Sequence, residues 1–126
     1  MRLWHQSLLN ELPREQLLGQ HRECCALRGK GWGRKHATVD YVFKYDLEKL
    51  CAYHFCVLDE MEYRGYKVNP LWWNGLYRGK ILGFIEDFDE LKLWDYMHVI
   101  PVYEEHDGEY LKECVENLKN KGIEIK

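Results

Sequence analysis

The sequence has no apolar run approaching the roughly 18 residues of a transmembrane helix, and no leader in which charged, apolar and small residues follow one another. We therefore expect neither a membrane span nor a signal peptide, and we expect Met1 to be the mature start. None of the five cysteines forms a C-x-x-C pair. They are expected to be reduced thiols in the core of a cytoplasmic protein.

Familiar catalytic and cofactor motifs are also missing. The chain contains no Gly-x-Ser-x-Gly, no Walker loop, no dinucleotide fingerprint and no Cys/His set at zinc spacing. We therefore expect neither a metal site nor a cofactor. An enzymatic reaction would then depend on a helix-borne acid, a scattered histidine or the amino terminus.

Charge is distributed unevenly along the chain. Residues 1–40 carry seven Lys or Arg against four Asp or Glu, residues 41–80 carry six against five, and residues 81–126 carry five against twelve. The net charges of these segments are +3, +1 and −7, within a total of −3. Because phosphate contacts need Lys and Arg, a polyanion is expected to meet the amino-terminal third and to be repelled by the carboxy-terminal third.

Length and apolar spacing predict the fold class. A chain of 126 residues with 46% hydrophobic content fits one domain over residues 1–126. Helical spacing predicts three principal helices over about 13–28, 46–64 and 107–121, each followed by a glycine. A short helix is expected around 87–94, an extended segment over 38–43, and either an ordered arm or a frayed end over 1–5. The predicted fold is a compact all-α single domain with long loops.

Arg22 and Glu23 lie in the middle of the first predicted long helix and point in neighbouring but different directions. Gly19 lies one turn before Glu23 and Ala26 almost one turn after it, so small residues flank the acid. A glycine inside a helix costs about 1 kcal/mol relative to alanine, and we infer that another chain segment or a ligand comes close there. The alternative is a structural carboxylate paired with a nearby arginine.

The segment after this helix alternates glycines with basic residues and a tryptophan. Such a loop lets backbone amides and positive side chains approach phosphates together, although an ordinary solvated loop has the same composition. Trp32 either stacks on a base or anchors the loop. A second aromatic and basic patch spans residues 71–80, where anchoring aromatics are more typical than a stacking platform. The residues expected to contact nucleic acid from the first loop are Arg28, Lys30, Arg34, Lys35 and His36.

Several short motifs follow one another in an order that resembles the phage endonuclease V family of pyrimidine-dimer DNA glycosylases. They are the opening Arg2, the pairs Glu11-Leu12 and Arg22-Glu23, the Arg34-Lys35-His36 tripeptide, and the predicted helix that ends at Gly65. The likeness covers roughly the first half of the chain and weakens after Lys67. It implies an endonuclease V-like fold.

The resemblance also implies a glycosylase with abasic-site lyase activity, in which the terminal α-amine attacks the sugar of a damaged nucleotide and forms an imine. Met1 would supply the amine, Glu23 would assist ring opening and elimination, and Arg2 and Arg22 would position the DNA. The implied partner is double-stranded DNA with a damaged or abasic nucleotide, bound by a monomer. An α-amine with a pKa of about 8 is roughly one-tenth neutral at pH 7, against less than a thousandth for lysine.

Two positions depart from the family pattern. Arg2 is too bulky for the usual removal of the initiator residue, so Met1 is expected to be retained and must lose its formyl group to react. Ala26 stands where the family has a DNA-contacting arginine. The alternative functions are a non-catalytic nucleic-acid-binding module of the same fold and a protein-interaction domain that uses its acidic carboxy-terminal third.

Overall fold

The computed structural model of the protein describes residues 3–32 and 40–125. Its regular structure consists of the α-helices α1 Arg14–Arg28, α2 Leu47–Tyr63, α3 Glu90–Met97 and α4 Gly108–Asn120. Short 3-10 helices cover Gln6–Leu8, Asp40–Lys44 and Pro70–Trp73. In these ranges the strand-like pairing is limited to an isolated antiparallel bridge between Tyr77 and Phe84. The predicted all-α class with three principal helices is confirmed, and α3 is the additional short one.

Aspartate side chains determine where three of the helices begin. Asp46 accepts a hydrogen bond from the Lys49 N–H at 3.3 Å, and Asp107 accepts one from the Tyr110 N–H at 2.9 Å. Both starts agree with the predicted boundaries. Asp89 caps α3 in the same way, so this helix begins at Glu90 and not near residue 87 as predicted.

α2 is the central helix of the core. Ten of its 17 residues are buried, which means that it packs on more than one face. Both α1 and α3 lie against it. Leu50, Cys51, Leu58 and Met61, which recur at helical spacing, are all buried. Tyr53 is buried as well and takes part in the site described below.

Residues 40–44 form a 3-10 helix, so the extended segment predicted over 38–43 is wrong for residues 40–43. Positions 38 and 39 lie outside the described residues. Val42 in this short helix is fully buried. A single apolar anchor, rather than period-two alternation, therefore accounts for the buried position in this segment.

All five cysteines are free thiols. Cys24, Cys51 and Cys114 are buried, and Cys25 and Cys56 are half-buried. The predicted core position is confirmed for Cys24, Cys51 and Cys114, whereas Cys25 and Cys56 lie at its edge. Across residues 3–32 and 40–125, none of the helices combines the length and the apolar character that crossing a membrane requires.

The amino-terminal arm, residues 3–5, is held by three helices. Leu3 is 0% exposed, and its carbonyl accepts a hydrogen bond from the Tyr110 hydroxyl of α4. The Trp4 N–H donates to Gln20 Oε1 of α1 at 2.6 Å. The Tyr53 hydroxyl of α2 donates to the Trp4 carbonyl at 2.6 Å. Residues 3–5 are therefore an ordered arm and not a frayed end.

Candidate active site and nucleic-acid interface

Glu23 lies in the middle of α1 with its side chain half-buried. Gly19 is buried, so protein covers the helix surface one turn earlier, whereas Ala26 is exposed. Within residues 3–32 and 40–125, no hydrogen bond or ion pair engages the Glu23 carboxylate. The alternative of a structural carboxylate paired with an arginine thus finds no partner in the described part of the chain.

Gln20 connects the arm to the helix that carries Glu23. Gln20 is 0% exposed, and its side-chain oxygen lies 2.6 Å from Trp4 N and 3.0 Å from the Tyr53 hydroxyl. It precedes Glu23 by three residues, or about 4.5 Å along the helix axis. Met1 and Arg2, which the sequence predicts as the amine and a DNA contact, lie outside the described residues.

The predicted DNA-contacting side chains fall into three groups. Arg22 and Lys30 are exposed and available to a polyanion. Arg34, Lys35 and His36 lie outside the described residues. Arg28 forms the third group, because it is fully buried with 0% exposure.

Arg28 is a structural residue. Its Nη1 donates to the Trp72 carbonyl at 2.8 Å and its Nη2 to the Asn74 carbonyl at 2.9 Å. Nη1 also lies 3.0 Å from His54 Nδ1. This placement contradicts the prediction that Arg28 contacts DNA, because protein acceptors bind both Nη atoms and the side chain is 0% exposed. Arg28 instead joins the end of α1 to the segment over residues 72–77.

Close backbone packing explains Gly29 and Gly31, two glycines of the segment that follows α1. A Cβ atom at Gly29 would lie 3.0 Å from the Arg78 carbonyl oxygen. A Cβ atom at Gly31 would lie 2.7 Å from the Ala26 carbonyl oxygen, which would force the loop away from α1. These glycines are thus needed for packing, whatever the loop binds.

The tryptophans of the two aromatic segments are anchored against the core. Trp32 meets Phe43 edge-on with ring centroids 5.2 Å apart. Trp72 meets Tyr77 in the same way at 4.8 Å. Trp72 also lies next to Arg28, whose Cζ is 5.0 Å from the indole centroid. The anchoring interpretation of these tryptophans fits their contacts.

His21, Cys25 and His54 form a cluster that the spacing of cysteines and histidines did not predict. One ligand-type atom from each lies within 4.8 Å of the others. His21 and Cys25 are four residues apart on α1, and His54 comes from α2, with His21 Nδ1 and His54 Nε2 2.9 Å apart. The pair on α1 is visible in the sequence, but the third member depends on how the helices pack.

Arg28 determines what this cluster can do. Because a guanidinium has only donors, His54 Nδ1 accepts from Arg28, and His54 Nε2 carries the hydrogen that it donates to His21 Nδ1. Burial, together with the Arg28 charge, holds the pKa of His54 well below its usual value. A metal ion at His54 Nε2 would have to displace that hydrogen beside a buried cation. The geometry therefore favours a hydrogen-bonded chain of neutral imidazoles over a metal site.

A second histidine joins the arm to the carboxy-terminal third. His106 Nδ1 accepts a hydrogen bond from the Gln6 N–H at 3.0 Å, and its Nε2 lies 2.8 Å from the Tyr41 hydroxyl. The His106 ring stacks on His5 with centroids 5.3 Å apart. Burial, assisted by His5, lowers the pKa of His106 to about 3. His106 is therefore neutral in the folded protein near neutral pH.

Taken together, the fold and the site define a small helical protein whose ordered amino-terminal arm packs on a helix carrying an accessible glutamate and an exposed arginine. A family model described as pyrimidine dimer DNA glycosylase matches residues 1–74, more than half of the chain. The protein belongs to the pyrimidine dimer DNA glycosylase family, which makes it a DNA repair enzyme with DNA as its partner. The chain has no significant match among the curated proteins or among the solved structures.

The residues that match the family model cover only part of the fold. It includes α1 and α2 and ends at residue 74, just after the 3-10 helix Pro70–Trp73. α3 and α4 lie beyond it. The endonuclease V-like fold therefore stays a prediction, while the family itself is established.

Proposed function

We propose that this glycosylase also cleaves abasic sites, with the Met1 α-amine as nucleophile and Glu23 as the proton-transfer group. The main support is the 2.6 Å hydrogen bond from Trp4 N to Gln20 Oε1, which ties the arm to α1 close to Glu23. Met1 precedes Trp4 by three residues, and three residues span at most about 10 Å. The amine therefore lies no farther than about 10 Å from Trp4, which is itself bonded to α1 three residues before Glu23.

The proposed reaction divides into two stages. The neutral amine attacks C1′ of the damaged nucleotide, the bond from C1′ to the base breaks, and loss of the base leaves the enzyme's nitrogen bonded to C1′ of the closed sugar ring. Glu23 then assists ring opening, in which the bond from C1′ to O4′ breaks, O4′ takes up a proton and an imine forms at C1′. Glu23 next accepts a proton from C2′, and the electron pair of that C–H bond forms the double bond between C2′ and C3′ as the 3′ phosphate leaves, which cuts the strand by β-elimination.

DNA contact in this proposal comes from basic residues of the amino-terminal third, residues 1–40. Arg22 adjoins Glu23 on α1, so it can hold a phosphate beside the reacting sugar. Extruding a nucleotide costs a few kcal/mol, and less for a damaged or missing base. Damage itself then favours entry into the site. Arg2, Lys30, Arg34, Lys35 and His36 complete the proposed DNA-binding set.

Borohydride trapping tests the proposal. Wild-type protein should become covalently linked to abasic duplex DNA, and peptide mapping should place the adduct on Met1. A tag retained at the amino terminus should abolish trapping, whereas the same tag at the carboxy terminus should not. An adduct on Lys30 or Lys35 would contradict the assignment of the amine. Complete absence of an adduct with untagged protein would contradict the imine and leave a glycosylase without the lyase step.

A further inference from the structure

A groove of about 320 Å³ lies at the end of α1, where residues distant in sequence meet. Its cationic lining residues are Lys30, Arg78 and Lys80, and none of its lining residues is acidic. The remaining lining is apolar or glycine, and includes Ala26 of α1 and the half-buried Trp72. Two basic segments, separated by about 50 residues of sequence, thus share one concave surface.

The groove is built into the fold and not left to side-chain mobility. Arg28 binds the carbonyls of Trp72 and Asn74, and the Arg78 carbonyl lies against Gly29. The segment carrying Lys80 turns back on itself, with the Arg78 N–H donating to the Gly83 carbonyl at 2.7 Å. Lys30 and Lys80 are therefore carried on two segments held against each other.

Charge makes this surface suitable for an anion. Lys30 and Lys80 are exposed at the groove. Arg78 also lines the groove and Arg28 binds the segment over residues 72–77; they are 3% and 0% exposed and form no salt bridge with a carboxylate in the described part of the chain, although the Glu48 charge acts on Arg78. Buried cations add to the positive potential at the surface, since they are only weakly screened by salt.

The groove also continues the exposed face of the helix that bears the candidate active site. Ala26 lines it and lies four residues after Arg22, or about 6 Å along the helix axis. Ile81 and Leu82 are also lining residues and are 77% and 42% exposed. Apolar contact of this kind suits the sugar units between phosphates.

We propose that this groove binds the sugar–phosphate backbone of the DNA, with Lys30 and Lys80 on phosphates and Ile81 and Leu82 against the sugars. The inference rests on the proposed function for its orientation relative to Glu23. It places a DNA contact, Lys80, beyond the residues that match the family model. The DNA footprint then extends past the amino-terminal half of the chain.

The salt dependence of binding to an undamaged duplex tests the groove. Lys80→Gln and Lys30→Gln should each weaken binding at low salt, and each should reduce the slope of log K against log salt concentration by about 0.9. Lys112→Gln on α4, also an exposed lysine, serves as the matched control and should change neither quantity. Circular dichroism spectra should be the same for all variants. A Lys80→Gln variant with the wild-type affinity and slope overturns the inference.

Two further measurements distinguish this inference from the proposed chemistry and from a site for free phosphate. Borohydride trapping of wild-type protein on abasic DNA tests the proposed chemistry alone, so a lost slope in Lys80→Gln supports the groove even if no adduct forms. Inorganic phosphate and a mononucleotide serve as probes for a free-phosphate site. If Lys80→Gln weakens binding of these probes but leaves the duplex slope unchanged, the assignment to DNA is overturned.

Discussion

The amino-terminal and carboxy-terminal thirds of the chain have opposite charges, +3 over residues 1–40 and −7 over residues 81–126. The acidic third nevertheless holds the beginning of the chain. Tyr110 donates to the Leu3 carbonyl, His106 accepts from the Gln6 N–H, and Gln6 Oε1 accepts from the Val102 N–H at 2.8 Å. The acidic third thus supports the arm of the proposed active site, and its first two residues, Ile81 and Leu82, line the proposed DNA-binding groove.

The largest expected effect is on the rate of strand cleavage, when one acid of the amino-terminal third is neutralised and one acid of the carboxy-terminal third serves as its control. Glu23→Gln should slow cleavage of abasic duplex at least about 100-fold, because it removes the group that transfers protons, while DNA affinity is retained. Glu116→Gln, at an exposed position of α4, should cleave at the wild-type rate. Single-turnover strand cleavage is the measurement. Equal rates for the two variants would show that Glu23 does not take part in the chemistry.

The second test separates buried from exposed charge within the basic third. Arg28→Met should lower the free energy of unfolding by about 3 kcal/mol or more, since it leaves buried carbonyls and His54 without their charged donor. Arg14→Met on the same helix should change it by less than about 1 kcal/mol, because the Arg14–Glu15 pair is solvent-exposed. Urea unfolding measures both. Similar losses for the two variants would contradict the structural role of Arg28.

The stability that His106 contributes, at the contact between the two thirds of the chain, should depend on pH. The folded pKa of His106 is about 3, below the unfolded value of about 6.5, so only the unfolded chain takes up a proton as the pH falls. Stability from this residue is present above pH 6.5 and declines below it, by about 1.2 kcal/mol between pH 7 and pH 5.5.

His106→Gln should remove about 1 kcal/mol of this pH dependence, whatever it does to stability at pH 7. His98→Gln, at an exposed position, is the control and should leave the dependence unchanged. Urea unfolding at the two pH values gives the difference directly. The interpretation fails if the His106 variant retains the full wild-type decline.

The smallest expected effect on stability comes from removing the Tyr110 hydroxyl, which links the two thirds of the chain. Tyr110→Phe removes the hydrogen bond to the Leu3 carbonyl and should destabilise the protein by about 1 kcal/mol. Under the proposed mechanism it should slow borohydride trapping several-fold without changing duplex affinity. Tyr63→Phe, at a tyrosine that is 86% exposed, should change none of these. An unaltered trapping rate in Tyr110→Phe would mean that this contact does not position the amine.

Local chemistry made much of the fold predictable. Asp46 and Asp107 precede apolar periodic segments, and both proved to be caps. α3 was misplaced because Asp87 and Asp89 are both plausible caps, and only the structure shows that Asp89 is used. An N-cap acts over a few residues, so the local sequence contains nearly all the information that determines where a helix begins.

The site was less predictable because its contacts join distant segments. Arg28 was assigned to DNA for its charge, although it lies four residues after the buried Cys24 on the same face of α1, which was the available signal for burial. His54 lies next to His21 because α2 packs on α1. Lys80 lies in the same groove as Lys30 because the chain turns after Arg78. No local pattern specifies such pairings.

The hydrogen bonds that hold the arm link residues about 100 positions apart, from Leu3 to Tyr110 and from Gln6 to His106. A chain still emerging from the ribosome cannot make them until α4 has been synthesised and has docked. Under the proposed mechanism, a nascent or partly folded copy would hold its arm through the contact of Trp4 with Gln20 on α1 but without the contacts to α4. Cleavage would then reach its full rate only in molecules in which α4 has docked and Tyr110 holds Leu3.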